Sequence, residues 1–312
     1  MALPLERPTK RGRKPSLAPL RVVPLSERGL GWSTAPEGRW LSLGGRGRTW
    51  IREEPGPEGA RAVVMLHGLG ATGGLNWAGA QSVLRDRFRM FTIDLRGHGR
   101  GIRTRRFRLE DCADDAAAMI RALGLVKPIV VGYSMGGPVA SLLWRRHRGL
   151  AGGLVLCATS RNFRGSPGEK LGFGALALVG MSPVALPSGV VRGWAAALKR
   201  IPLPSPAPLQ DLRFVVDELA GHDPRSIVQA AGAIGGFNAS PWIGGVDVPT
   251  SVVVTTADQL VPPVRQLRLA RSIPGATMHF IDAGHLCIAG GLQKSLFLSA
   301  LRRACLDVES RI

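Results

Sequence analysis

Short runs of apolar residues recur along the chain, at Ala62–Leu66, Met90–Ile93, Ile129–Val131, Gly153–Cys157, Thr250–Thr255 and Thr277–Ile281. Runs this short, bounded by glycine, proline or charge, read as strands buried on both faces. Between them lie stretches with helical spacing of apolar positions: Leu109–Leu123, Gly137–Arg146, Pro263–Ser272 and a last one near Gln293–Cys305. Strands alternating with helices predict an α/β fold, in which a mostly parallel sheet is covered by helices on both faces. Ahead of the first run, Trp32, Trp40 and Trp50 sit in short segments separated by turns containing glycine or proline. These read as antiparallel strands at one edge of the sheet.

One segment breaks the rhythm. Residues 161–245 lie between two strands and are far too many for a loop. They contain a glycine-rich apolar part, the proline run Pro202–Pro208 and a helical stretch at Pro224–Ala233, and they read as a helical cap inserted over the sheet. The core is then 29–160 together with 246–312, and residues 1–28 form a flexible basic arm. Within that arm, Lys10-Arg11-Gly12-Arg13-Lys14-Pro15 resembles a minor-groove hook, but a solvated tail is the simpler reading of one short degenerate match.

Charge changes the picture. Lysine and arginine number 41 against 22 acidic residues, a formal charge of +19, and only six of the 41 are lysine. Part of that arginine bias is codon usage; the rest is a field that draws the protein toward anionic membranes, nucleic acid or acidic partners. The basic residues are scattered, so peripheral contact with an anionic membrane ranks ahead of specific nucleic-acid binding. Neither uncharged stretch, Leu171–Val191 or Ser226–Val246, has the uniform apolarity of a spanning helix, since glycine and proline interrupt both. Residues 1–15 lack the apolar run of a signal peptide. The cysteines Cys112, Cys157, Cys287 and Cys305 are widely spaced and form no CxxC pair, as expected for a reducing, cytoplasmic compartment.

The strongest chemical signal is Gly132-Tyr133-Ser134-Met135-Gly136. It follows an apolar strand and precedes a helical stretch, the context in which a sharp turn with small neighbours exposes a nucleophilic serine. Upstream, the first core strand ends in His67-Gly68-Leu69-Gly70, where glycines let backbone approach a substrate carbonyl. The N–H groups of Leu69 and Met135 are the expected oxyanion hole, and His67 is expected to position its loop.

With Asp94-Leu95-Arg96-Gly97-His98-Gly99, Asp258 and Gly284-His285 in the same order along the chain, residues 30–305 resemble the α/β-hydrolase superfamily. The resemblance implies an eight-stranded sheet, a cap after the sixth strand and a Ser–Asp–His triad in that order. Asp94 and His98 fall in a loop that shapes the fold. His285, in a glycine-preceded loop after the last strand, is the expected general base: His147 lies at a helix end, His279 in a strand and His222 in the cap, while His67 and His98 are expected to shape their loops. Asp258, in a loop matching the family's acid loop, is the expected orienting carboxylate. Asp282 reads as a strand-end residue capping local N–H groups.

Other features point to packing. Glu110, Asp111, Asp114 and Asp115 stand in the first turns of a helix, where the macrodipole accounts for acids without a metal. Cys287 reads as a buried thiol, and nothing in the sequence calls for a metal or organic cofactor. Phe173, Trp194 and Phe237, with other apolar residues of the cap, are the expected substrate-binding lining. The expected substrate is a carboxylic ester, lipid-like in the manner of a monoacylglycerol or lysophospholipid. Lactonase, carbon–carbon bond hydrolase, cofactor-free peroxidase and a non-catalytic binding module stay open as alternatives.

Overall fold

The computed structural model describes residues 35–163 and 209–312. The arm 1–28, Trp32, Phe173 and Trp194 lie outside those residues. The apolar runs form one eight-stranded sheet in the order β1-β2-β4-β3-β5-β6-β7-β8. Strands β1 (Gly38–Leu43) and β2 (Gly47–Glu54) are antiparallel, as Trp40 and Trp50 predict, and β2 is antiparallel to β4 (Phe88–Ile93). All further pairings are parallel, through β3 (Arg61–Leu66), β5 (Ile129–Tyr133), β6 (Gly153–Cys157), β7 (Thr250–Thr255) and β8 (Thr277–Ile281).

The central strands β3, β5, β6 and β7 are buried on both faces. Val64, Leu66, Val130, Leu154, Leu156, Val252 and Val254 belong to one core cluster. Their neighbours Val63, Met65, Ile129, Val131, Val155, Cys157 and Val253 point into the other. On the first face lie α3 (Leu109–Ala122) and α4 (Gly136–Arg146). The second is closed by the long α8 (Gly291–Glu309), whose Phe297, Leu301, Ala304, Cys305 and Val308 are buried at three- and four-residue spacing.

Two short helices, α1 (Gly73–Trp77) and α2 (Gln81–Leu84), follow β3 where the hydrophobic pattern predicts none. Thr72 nucleates the first by accepting a hydrogen bond from Leu75 N–H at 3.1 Å. Between β6 and β7, the described part of the long segment holds α5 (Leu209–Ala220) and α6 (Pro224–Gly236), with a 3₁₀ turn at Ile243–Gly245. Helix α6 starts where expected, with Asp223 as cap, and runs past Ala233 to Gly236. Helix α7 (Pro263–Ser272) follows β7. No helix among the described residues is long and apolar enough to cross a membrane.

Candidate active site

Strand β5 delivers Ser134 to the carboxyl edge of the sheet in a left-handed backbone conformation, φ 51°. That conformation is strained for a residue with a side chain. Its surroundings hold it there: Ser134 N–H donates to the Cys157 carbonyl at 2.9 Å, and the Thr159 hydroxyl donates to the Ser134 carbonyl at 2.8 Å. The flanking glycines have a steric reason. A Cβ at Gly132 would lie 2.3 Å from the Gly136 carbonyl oxygen, and one at Gly136 would lie 2.2 Å from that of Leu66.

The loop after β8 brings His285 to this hydroxyl, with Nε2 2.9 Å from Ser134 Oγ. Its other nitrogen, Nδ1, lies 2.8 Å from Asp258 Oδ2. Asp258 Oδ1 accepts from Leu260 and Val261 N–H at 2.9 and 2.8 Å, and Oδ2 also accepts from the Thr255 hydroxyl at 2.8 Å. Burial by itself would raise this carboxyl, but the His285 hydrogen bond and charge, then Val261 N–H and the Thr255 hydroxyl, hold it below its ordinary value. Asp258 is therefore an ionised acceptor that fixes a proton on Nδ1 and leaves the Nε2 lone pair facing the serine. A hydroxyl, an imidazole and a buried carboxylate so linked can move the serine proton onto the ring.

Residues 61–289 match the family described as alpha/beta hydrolase fold. The chain belongs to that family. This α/β-hydrolase is 29% identical over 229 residues to the pimeloyl-[acyl-carrier protein] methyl ester esterase of Chromobacterium violaceum, spanning 72% of this chain and 86% of that protein. It is 27% identical over 250 residues to the magnesium-chelatase 30 kDa subunit of Rhodobacter capsulatus, spanning 76% and 84%. Among solved structures, a thermophilic esterase from Thermogutta terrifontis superposes with a TM-score of 0.65 at 24% identity, covering 87% of this chain and 99% of that one.

The other expected residues are placed as follows. Among the described residues, the N–H groups of Leu69 and Met135 have no hydrogen-bond acceptor, while the neighbouring Gly68 N–H donates to Asn76 Oδ1 at 2.9 Å. His67 is a positioning residue in this α/β-hydrolase. Leu95 N–H donates to its Nε2 at 2.9 Å and its Nδ1 lies 2.8 Å from the Gly68 carbonyl, so the ring pins the loop after β3 to the loop after β4. Burial drives its pKa down to about 3. Asp94 accepts from Gly73 and Arg100 N–H at 2.9 and 3.0 Å. Cys287 is buried, its Sγ 3.5 Å from the Tyr133 hydroxyl, and burial pushes its thiol up to about 11.

Two expectations need correction. The macrodipole is not what holds Asp114 and Asp115: Asp115 binds Arg46 and Arg96, and Asp114 binds Arg146 and His147. Asp282 caps no N–H; it is exposed and accepts from the Thr256 hydroxyl at 3.3 Å. Phe237, expected in the substrate lining, stands half-buried at the end of α6 with its ring edge-on to Trp242 and packs on the core cluster.

Residues that sequence reasoning passes over also shape the site. Tyr133 donates its hydroxyl to the His285 carbonyl, fixing the histidine loop on β5. Gln266 of α7 holds the acid loop by donating to the Val261 carbonyl at 2.7 Å. Glu218 of α5 accepts from Arg52 Nη2 at 2.7 Å and from the Thr72 hydroxyl, tying that helix to the loop that carries Leu69. The partners of Tyr133 and Glu218 lie far along the chain from them, and no sequence pattern marks them.

Proposed function

We propose that this hydrolase cleaves a carboxylic ester by nucleophilic catalysis at Ser134. The observation that carries the reading is the unbroken chain Ser134 Oγ to His285 Nε2 at 2.9 Å and His285 Nδ1 to Asp258 Oδ2 at 2.8 Å. Ser134 Oγ attacks the ester carbonyl as its proton passes to Nε2, forming a tetrahedral oxyanion that accepts from Leu69 and Met135 N–H. The imidazolium then protonates the leaving alkoxide, the carbon–oxygen bond breaks, and an acyl-enzyme stays on Ser134. Water deprotonated by His285 hydrolyses it by the same steps. Methyl-ester cleavage in the Chromobacterium relative's name supports an ester carbonyl.

The narrower reading is a lipid-like ester, of monoacylglycerol or lysophospholipid type. Its support is the apolar composition of the cap, 161–245, and the exposed leucines Leu69, Leu260 and Leu286, on the loop after β3, the Asp258 loop and the His285 loop. Peripheral contact with an anionic membrane would present such a substrate. Turnover of p-nitrophenyl acetate, butyrate and octanoate tests both levels. Cleavage that rises with chain length supports the lipid reading; flat or falling rates remove it and leave the esterase. No turnover of any of the esters contradicts the esterase.

The chelatase-subunit relative motivates a rival in which the fold binds without turnover. The strained serine and aimed imidazole favour catalysis, since a binder has use for neither.

A further inference from the structure

A cleft of about 660 Å³, open to solvent, lies between the β1–β2 turn, the loop after β4 and Gly221 beyond α5. Trp40, Arg46, Arg48, Arg100 and Arg103 line it, and no acidic residue does. Because β2 runs antiparallel to β4, with Ile51 opposite Ile93, the start of β2 and the end of β4 meet at the sheet edge that carries Ser134. One strand, β3, separates β4 from β5, which puts the two strand ends about 10 Å apart.

The charges in this cleft do not cancel. Arg46 is committed to buried Asp115 at 2.6 Å. Arg100 lies over the Trp50 ring at 4.7 Å and shares Glu218, at 3.6 Å, with the more tightly bound Arg52 at 2.7 Å. Arg103 donates only to the Gly221 carbonyl, at 2.7 Å, and Arg48 lies over the Trp40 ring at 5.2 Å. Neither Arg48 nor Arg103 has a carboxylate partner among the described residues. Guanidinium groups braced against an indole or a carbonyl keep donors in a fixed fork, which suits the oxygens of an anion.

We propose that this cleft binds a phosphate monoester. Two unpaired guanidiniums and a third that is half-shared match a dianion better than a carboxylate's single charge. Trp40, 47% exposed, offers its indole to the organic part of the ligand. Ser134, His285 and Asp258 are not among the residues that line the cleft, so its test reads binding and not turnover.

Phenyl phosphate is titrated calorimetrically, at constant ionic strength, into wild type, Arg48→Gln/Arg103→Gln and Arg85→Gln/Arg271→Gln. Arg85 and Arg271 are exposed, lie outside the cleft and have no carboxylate partner among the described residues, so the second pair controls for net charge. Saturable binding that weakens about tenfold or more only in the cleft variant is the expected result. Equal weakening in both variants would show a diffuse field and overturn the site. Vesicles containing phosphatidic acid form a second arm: the same variant pattern on vesicles alone would place the monoester on a lipid headgroup, and binding of neither probe would overturn the proposal.

Discussion

Among the described residues, two histidine–carboxylate sets stand along the same sheet edge, and one of them faces the Ser134 hydroxyl. After β3 and β4 stand His67 and Asp94; after β7 and β8 stand Asp258 and His285. His67 spends both nitrogens on backbone, at Gly68 and Leu95, and Asp94 spends its oxygens on the N–H groups of Gly73 and Arg100. His285 instead has side chains on both nitrogens, one of them Ser134. Burial raises Asp94 to about 6, aided by the charge of Glu218, whereas His285 holds Asp258 low. The same residue types thus build a scaffold in one place and, in the function proposed above, a proton relay in the other. What separates them is where the last lone pair points.

The sharpest way to break this comparison is to neutralise each carboxylate in turn. Asp258→Asn keeps a carbonyl for the Leu260 and Val261 N–H groups but turns an N–H₂ donor toward His285 Nδ1, which fixes the wrong tautomer and should lower kcat for p-nitrophenyl butyrate by about 10⁴-fold. Asp94→Asn should leave most of kcat and lower unfolding free energy by about 1–3 kcal/mol in denaturant titration, since it keeps the carbonyl that Gly73 uses. Equal losses of kcat in the two variants would erase the distinction.

Glu218→Gln comes next. It leaves Arg52, buried with only 8% of its side chain exposed, without its charge partner. Breaking a buried pair in this way costs about 3 kcal/mol or more. Urea unfolding should show that loss, with the Ser134–His285–Asp258 relay unchanged in its tautomer.

The smallest effect is the response of stability to acid. Burial holds both His67 and His98 well below their ordinary pKa, His67 at about 3, so the unfolded chain takes up their protons first. Their contribution is complete above about pH 6.5 and is lost as pH falls toward the folded values. Asp94 works in the opposite sense: its folded pKa of about 6 exceeds the unfolded one, so its contribution is present in acid and lost as pH rises through about 6. Two histidines outweigh one carboxyl, and Tm should fall by several degrees between about pH 7.5 and 5. A rise would mean that Asp94 dominates the scaffold set.

The sheet was legible because each strand is a local pattern. Gly153–Cys157, Thr250–Thr255, Thr277–Ile281 and Pro263–Ser272 have the bounds that periodicity and flanking residues predict. Ser134, Asp258 and His285 were legible as loop residues after strands. The supports were not, because no period marks a partner far along the chain. Arg52 and Glu218 are 166 residues apart, Thr72 and Glu218 146, and Tyr133 and His285 152. Helix α1 was missed because a glycine-rich stretch conceals it, and Thr72 at its head becomes informative only once Asp94 and Glu218 are beside it.

The central claim is that Ser134 is the activated nucleophile of the second set. Labelling by a fluorophosphonate probe tests it most directly, on wild type and on Ser134→Ala shown to be folded by circular dichroism. The account predicts a covalent label on wild type, at Ser134, and none on the variant. An unlabelled, folded wild type, or a label that survives in Ser134→Ala, would contradict it.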